Sequence, residues 1–406
     1  MGYKKDVIKG VSWTGSLSFL TKGVGFLETI ILARILVPSQ FGAYGIALLA
    51  LGFLETLTET GVNIVLIQEK EAEPYVSSAW IVSIGRGLLI TLALYLCSPL
   101  IANFFHSSQA LLLLQLISLV PFLRGFINPA VVKFQKELQF RKYFWYQAVI
   151  LFVDTAVSIM VTYTTKQPIG IVIGLLTGVF FELFMSFIFV SPRPNFVFRK
   201  EYVSKIFHRG KWITLTTIFN YLFFNSDNIA VGRLLGAGSL GIYQLAYSLA
   251  VMPLIEIGNV LNFVTFPLFA KIREDRNRLK SAYIKMILSV ILLTIPFVII
   301  FVFIPQVFII ILGKKWIAIV SVLPMLSLLG FVKAISNASS ALFLSEVKQK
   351  YATVITFVTI IGMLVVLFPL IHQYGIVGAA SAALIGSLVA LPFYFYFIWQ
   401  LLQKDV

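Results

Sequence analysis

The sequence predicts an all-α integral membrane protein of about twelve transmembrane helices, arranged as two parallel-repeat six-helix bundles around a central cleft. Three observations carry this. The 406 residues are 59% hydrophobic and only 12% charged, where a soluble domain averages roughly 25% charged residues, and the mean hydropathy is +0.94. The apolar residues come in blocks long enough to cross a hydrocarbon core of about 30 Å. The second half of the chain also repeats the first.

Each block is expected to be a helix, because lipid cannot satisfy exposed backbone groups. Blocks without alternation exclude a β-barrel. The expected spans are 12–34, 41–66, 78–104, 109–132, 143–164, 168–190, 212–234, 243–266, 283–304, 317–343, 351–371 and 375–401. The run QVFIIILGKKW after Pro305 reads as a short interfacial helix. The first apolar run is too long for a signal-peptide core and lacks a small-residue cleavage site, so it reads as a retained first span.

With twelve spans both termini lie on one side. Placing them in the cytoplasm, and counting Arg34, Arg233 and Lys285 at span ends with the adjoining loops, puts 23 Lys and Arg on the inner side and 5 on the outer, with four (Lys22, Arg86, Arg124 and Lys333) well inside spans. That bias predicts cytoplasmic termini. It also accounts for the net charge of +15. Basic residues grouped between apolar spans orient a membrane protein, so nucleic acid is not expected as a partner. One cysteine, Cys97, excludes an intramolecular disulfide and a cysteine metal cluster. His106, His208 and His372 are far apart near span ends and read as polar loop residues. No metal, cofactor or catalytic residue is expected.

The longest inner loop, 191–211, lies near the centre and divides the chain into residues 1–200 and 201–406, the expected N- and C-terminal bundles. Shifted by 199 residues, RILVPSQFGAYGIA from Arg34 falls on RLLGAGSLGIYQLA from Arg233. Arg34 then meets Arg233, Gly42 meets Gly241, Tyr44 meets Tyr243, Trp13 meets Trp212 and Glu28 meets Asp227. With a drift to 209, Ser118 falls on Ser327, Arg124 on Lys333 and Asn128 on Asn337. Six helices per unit is even, so the halves share one orientation, as in parallel-repeat transporters with a cleft between the halves. The outer loops are short, leaving no room for an extramembrane catalytic domain. No Gly-Lys-Ser/Thr phosphate loop occurs, so ATP-driven pumping is not expected.

Ionisable groups inside spans are functional candidates by default. Thr14, Ser18, Thr21, Gly25 and Glu28 form one helical stripe in span 1, flanked by Lys22, and Thr217, Asn220 and Asp227 form its counterpart in span 7. Such stripes line a cleft or hydrogen-bond helices together. Glu28 and Asp227, with Asp154 in span 5, are the candidates for ion coupling. Arg124 and Lys333, repeat-equivalent in spans 4 and 10, are candidates for an anionic headgroup, together with Arg86 and Lys22. Arg suits phosphate by its bidentate fork and Lys as a point charge. Both could instead snorkel to the inner headgroups. Glu182 is a further single acid. Gly52, Glu55 and Glu59 share a face in span 2, and Glu256, Asn259 and Asn262 one in span 8, where pairing with loop cations is the competing role. Gly378, Ala382, Gly386 and Ala390 form a small-residue stripe, expected to allow close helix packing.

The runs SDNIAVGRLLGAGSLGIYQLAYSLAVMP (226–253), FPLFAKIREDRNRLKSAYIK (266–285), ARILVPSQFGAYGIA, FQKELQFRKYF and LGKKWIAIVSVLPMLSLLGFVKAI resemble the polysaccharide transporter branch of the multidrug/oligosaccharidyl-lipid/polysaccharide exporter superfamily. The resemblance covers essentially the whole chain. It implies a flippase of the O-antigen or exopolysaccharide type. Such a protein moves an undecaprenyl-diphosphate-linked oligosaccharide across the bacterial cytoplasmic membrane by alternating access, driven by a Na+ or H+ gradient. Membrane lipids, and a polysaccharide polymerase with other assembly proteins, are the implied partners. Asp227, Arg233, Gly241 and Tyr243 are the family-pattern positions, with a role more structural than substrate-contacting. A multidrug/cation antiporter of the same superfamily is the alternative, but it calls for a cleft dominated by acids, where this chain carries Lys22, Arg86, Arg124 and Lys333. A membrane polysaccharide polymerase or ligase would need the outer loop this chain lacks.

Overall fold

A computed structural model describes residues 2–58, 62, 66–67, 73–199, 201–203, 217, 221–222 and 224–403. Every regular element among them is helical. Ten helices are long and apolar enough to cross a membrane. Two are too long for one crossing. The helix Gln349–Gln403 has 55 residues, about 80 Å at the α-helical rise, and the stretch Ser226–Ile272 has 47. Each contains a glycine with non-helical backbone, Gly375 (φ 58°) and Gly236 (φ 82°). Such angles are open to glycine and strained for other residues. Divided there, the spans number about twelve. The chain is an all-α multi-pass membrane protein that divides into two compact units, Met1–Ser226 and Asp227–Val406.

Unit 1 opens with α1 (Gly2–Ile35) and α2 (Pro38–Leu57). Pro38 stands in the first turn of α2, where its missing N–H is not needed, and the Gln40 side chain accepts the Val37 N–H at 3.1 Å. Gln40 Nε2 also donates to the Lys166 carbonyl at 3.1 Å. That bond joins two turns expected on the outer side. Helix α3 (Glu73–Phe104) is followed by α4 (Ser108–Ile117) and α5 (Leu119–Gly125). These last two form one expected span, broken at Ser118 just before Pro121. Proline removes a ladder bond, and Thr91 Oγ1 donates to the Ser118 carbonyl at 2.7 Å.

Helices α6 (Phe140–Thr165) and α7 (Ile169–Phe189) complete the described spans of unit 1. They touch along Gly170, Gly174 and Gly178. A Cβ on Gly174 would lie 2.6 Å from Ser158 Cβ and 2.8 Å from the Asp154 carbonyl oxygen. Small residues let membrane helices approach this closely. Beneath them Asn128 is fully buried. Its Nδ2 donates to the carbonyls of Val190 (3.4 Å) and Pro192 (3.0 Å), and its Oδ1 accepts the Ala130 N–H. With the Asn195 N–H on Ser77 Oγ and Lys136 Nζ on the Leu66 carbonyl, these bonds gather the turns expected on the inner side.

Unit 2 contains α8 (Ser226–Ala250), reversed at Gly236, then α9 (Met252–Ile272) and α10 (Arg276–Phe303). Asp275 caps α10, its side chain accepting the Arg278 N–H at 3.0 Å. The expected interfacial piece is present as a short helix, Val307–Leu312. Helix α11 (Ile319–Ser345) and the folded-back α12 (Gln349–Gln403) follow. Gly386 brings the two arms of α12 together, a Cβ there lying 2.4 Å from the Thr359 carbonyl oxygen, so the small-residue stripe serves packing. Arg276 grips Glu346 (Nη1–Oε1 2.7 Å, Nη2–Oε2 3.4 Å), tying the start of α10 to the end of α11.

Helix ends depart from the expected spans in a consistent way. Helix α9 continues to Ile272, past the expected 266, and α10 starts at Arg276, before the expected 283. Apolar runs mark only the hydrocarbon-crossing part. The backbone ladder continues through basic turns that lipid would not admit. In the other direction, span 4 ends at Gly125, not 132, because the Asn128–Pro129 turn stops it. The expected division at 200/201 falls beside residues 204–216, 218–220 and 223. These lie outside the described residues, as do Glu59, His208, Trp212 and Asn220.

Candidate functional site

In unit 1 two basic residues from different helices converge on the end of α2. Arg124 Nη1 donates to Glu55 Oε1 at 2.7 Å. Arg86, from α3, donates from Nη2 to the Glu55 carbonyl at 2.7 Å and from Nε to Thr58 Oγ1 at 3.2 Å. The last carbonyls of a helix lack intrahelical partners, and a cation there also suits the helix dipole, so Arg86 closes α2. The Arg124 and Glu55 side chains stay 42% and 29% exposed. With Arg86 they line two hollows of about 450 and 400 Å³. Gln147 and Glu182 also line the first, and Thr217 and Tyr221 the second. Tyr221 donates to the Leu49 carbonyl at 2.7 Å. Its hydroxyl lies 2.8 Å from where a Cβ on Gly52 would be, so only glycine fits beside it.

Glu28 reaches from α1 to α6, its Oε2 accepting the Thr155 hydroxyl at 3.2 Å. Asp154 precedes that threonine and packs against Gly178. Lys22 is exposed on α1, less than two turns before Glu28.

In unit 2 the reversal at Gly236 brings Tyr243 back onto Asp227. The Tyr243 hydroxyl donates to Asp227 Oδ2 at 2.8 Å, while Oδ1 accepts the Asn228 N–H at 2.7 Å and Asn228 Nδ2 at 3.0 Å. Asp227 is buried and Tyr243 fully so. One turn on, Tyr247 accepts a hydrogen bond from Lys333 Nζ at 3.0 Å, and the ammonium lies 5.3 Å from the ring centroid. The two tyrosine rings are 6.5 Å apart. Asp227 and Lys333, widely separated in sequence, thus share one tyrosine-bridged cluster. Arg233 is exposed and Gly241 buried.

A second polar run joins α9 to α11. Asn259 Nδ2 donates to Glu256 Oε2 (3.2 Å), Asn337 Nδ2 to Asn259 Oδ1 (3.1 Å), and Asn262 Nδ2 to the Asn337 carbonyl (2.7 Å) and Ser340 Oγ (2.6 Å). Sequence reasoning did not select Glu55 or Tyr247 as site residues. Glu55 carried a signal, an acid on a glycine face within a span. Tyr247 stood in the run that carries the family resemblance but was given no role, since its partner lies 86 residues away.

These charged and amide groups are set in a chain whose residues 31–321 match the family model described as polysaccharide biosynthesis protein. The chain belongs to that family. It is 27% identical over 356 residues to the lipopolysaccharide biosynthesis protein WzxC of Escherichia coli (strain K12), covering 86% of this chain and 72% of that one. It is 24% identical over 355 residues to the teichuronic acid biosynthesis protein TuaB of Bacillus subtilis (strain 168), covering 84% and 72%. Among solved structures, the lipid II flippase MurJ in an inward closed conformation superposes with a TM-score of 0.75 at 16% identity, over 95% of this chain and 87% of that one. At that identity the likeness speaks for the fold. The family match runs from the end of α1 into α11, so it takes in Arg86, Arg124, Asp154 and Asp227 but stops short of Lys333.

Proposed function

We propose that this chain is a flippase. In this proposal it moves an undecaprenyl-diphosphate-linked oligosaccharide from the inner to the outer leaflet of the bacterial cytoplasmic membrane, by alternating access coupled to a Na+ or H+ gradient. It transports and does not catalyse, and it hands its product to a polymerase and other assembly proteins. The observation that supports this most is the half-exposed Arg124 beside Arg86 in the hollows of unit 1. A guanidinium inside a span needs water or an anion as well as its carboxylate, and Arg offers a planar fork to phosphate. Lys22 and Lys333 extend the set. Glu28, Asp154 and Asp227 are the coupling acids, each on a helix that spans the membrane.

Both termini and the 191–211 loop face the cytoplasm in this proposal. The 23-to-5 charge bias supports it, as do the bonds that gather the expected outer turns at one end of unit 1 and the inner turns around Asn128. The test is flipping of lipid-linked oligosaccharide in proteoliposomes by wild type and by the double variant Arg124→Ala/Lys333→Ala, at matched protein level. Loss of flipping is expected. Normal flipping in the double variant would leave both cations structural.

A further inference from the structure

Arg86, Arg124 and Glu55 are not the whole lining of the larger hollow of unit 1. Tyr143 and Gln147 line it from α6 and Glu182 from α7. Tyr143 and Gln147 are four residues apart, so they share one face of α6. The Tyr146 hydroxyl donates to the Glu182 carbonyl at 3.3 Å, which ties α6 to α7 at this level. Tyr143, Gln147 and Glu182 are all half-buried. Among the described residues the Tyr143 hydroxyl, the Gln147 amide and the Glu182 carboxylate make no hydrogen bond. Every one of these residues belongs to unit 1.

Polar groups held half-buried inside a span are costly unless water or a ligand meets them. The mixture of groups at this hollow selects among ligands. A carboxylate only accepts, so its partner must bring O–H or N–H groups. A bare diphosphate suits Arg124 but brings acceptors and negative charge toward Glu182. A lone cation suits Glu182 and is repelled by Arg86 and Arg124. An acyl chain leaves all of them unmet. A sugar phosphate answers both sets. Its phosphate oxygens suit the guanidinium fork. Its hydroxyls suit Glu182, Gln147 and Tyr143, the last two of which both donate and accept. The size of the hollow limits how much of a glycan enters. At about 450 Å³ it stands at the small end of the roughly 300–1,000 Å³ usual for ligand sites, room for one sugar with its phosphate and not for a chain of sugars.

We infer that this hollow holds a glycosyl phosphate, with Arg124 on the phosphate and Glu182, Gln147 and Tyr143 on the hydroxyls of the single sugar bonded to it. The inference rests on the flippase proposal and deepens it. The sugar next to the diphosphate is bound together with it, and the sugars beyond lie outside the hollow. Residues of α6 and α7 then set which carriers are accepted, and the length and ending of the glycan do not. Glu182 also acts against a carrier without its sugar, because its charge opposes the bare diphosphate.

The test uses the purified full chain in nanodiscs and three probes. These are undecaprenyl diphosphate, the undecaprenyl-diphosphate-linked oligosaccharide extracted from the organism that makes this chain, and that oligosaccharide trimmed to the one sugar next to the diphosphate. Wild type is expected to bind the one-sugar carrier at least ten-fold more tightly than the bare carrier and within two-fold of the full one. Glu182→Gln should weaken the one-sugar carrier by roughly ten-fold or more, as for a lost hydrogen bond to a charged group, while the bare carrier binds unchanged or more tightly. Gln147→Ala and Tyr143→Phe should narrow the same ratio. Tyr143→Phe keeps the ring and its packing, so it remains informative if another variant loosens the helices, and thermal unfolding of each variant reports that loosening. Variants that keep the wild-type ratio, or weaken the bare and one-sugar carriers alike, overturn the inference. Wild type that binds the one-sugar carrier no better than the bare one, or much less tightly than the full one, overturns it and leaves the flippase proposal standing. Wild type that binds none of the three overturns both.

Discussion

Glu55→Gln is predicted to strengthen binding of the bare carrier diphosphate, while Arg124→Ala weakens it. In the structure Arg124 Nη1 is held by Glu55 Oε1 at 2.7 Å, with the two side chains 42% and 29% exposed. A phosphate oxygen must compete with that carboxylate. Ion pairs this open to solvent are worth about 0.2–1 kcal/mol, so removing the charge should tighten the diphosphate by roughly 1.4- to 5-fold. Glutamine keeps the length and an acceptor oxygen, and the Glu55 backbone carbonyl that receives Arg86 is untouched. Arg124→Ala removes the charge-assisted bonds themselves, worth about 1.5–3 kcal/mol, or a loss of roughly 10- to 150-fold. The assay is equilibrium binding of undecaprenyl diphosphate to each variant in nanodiscs, with thermal unfolding in parallel. Both substitutions should lower stability by no more than about 1 kcal/mol. If Glu55→Gln weakens binding as Arg124→Ala does, the pair works as a unit to hold helices, and Arg124 is not a free-standing phosphate ligand.

Three further outcomes are expected. Glu28→Gln and Asp227→Asn should lower gradient-driven flipping while leaving membrane insertion intact, and normal transport by both under an imposed Na+ or H+ gradient would remove them from coupling. Gly174→Leu should destabilise unit 1 by at least about 1–3 kcal/mol, since its Cβ would sit 2.6 Å from Ser158 Cβ, and protein level together with melting temperature reads this directly. In a Cys97→Ser background, needed because Cys97 is exposed, a cysteine placed at Pro194 should resist an impermeant thiol reagent added outside intact cells. Labelling there would reverse the topology.

The membrane class and the approximate spans were legible because they depend on residue type at low resolution in the chain. Lipid demands long apolar helices. Two glycines that reverse the chain, Gly236 and Gly375, were not legible as such, because many glycines in spans serve packing. The same four-residue spacing in Gly170, Gly174 and Gly178 marks helix contact instead. At the site, the charged residues could be found in the sequence but their partners could not. Arg124 is 69 residues from Glu55, and Lys333 is 86 from Tyr247. Which helices meet follows from packing over whole units, and no local spacing encodes it. The polar face of α9 was visible as Glu256, Asn259 and Asn262. The structure turns Asn262 inward to α11 and leaves Asn259 outward beside Phe263.

The two units keep what helix geometry needs and differ where charge is handled. Ser118 and Ser327 are repeat-equivalent, both fully buried, and each donates its hydroxyl to the carbonyl three residues before it, Gln115 at 2.6 Å and Pro324 at 2.8 Å. A bond of that kind depends only on the local turn, so duplication preserves it. Arg124 and Lys333 are equivalent by the same offset but reach unlike partners, a carboxylate in one unit and a phenol in the other. An anion that approaches Arg124 meets a resident negative charge and must displace it. One that approaches Lys333 displaces a neutral hydroxyl and meets no repulsion from that partner. Two cations at matching positions therefore need not bind alike. Were an anion to bind at both, the Glu55 carboxylate would replace it at Arg124 and ease its release, while only the Tyr247 hydroxyl would replace it at Lys333. The sequence repeat thus keeps the position of a cation, while its hydrogen-bond partner differs between the two units.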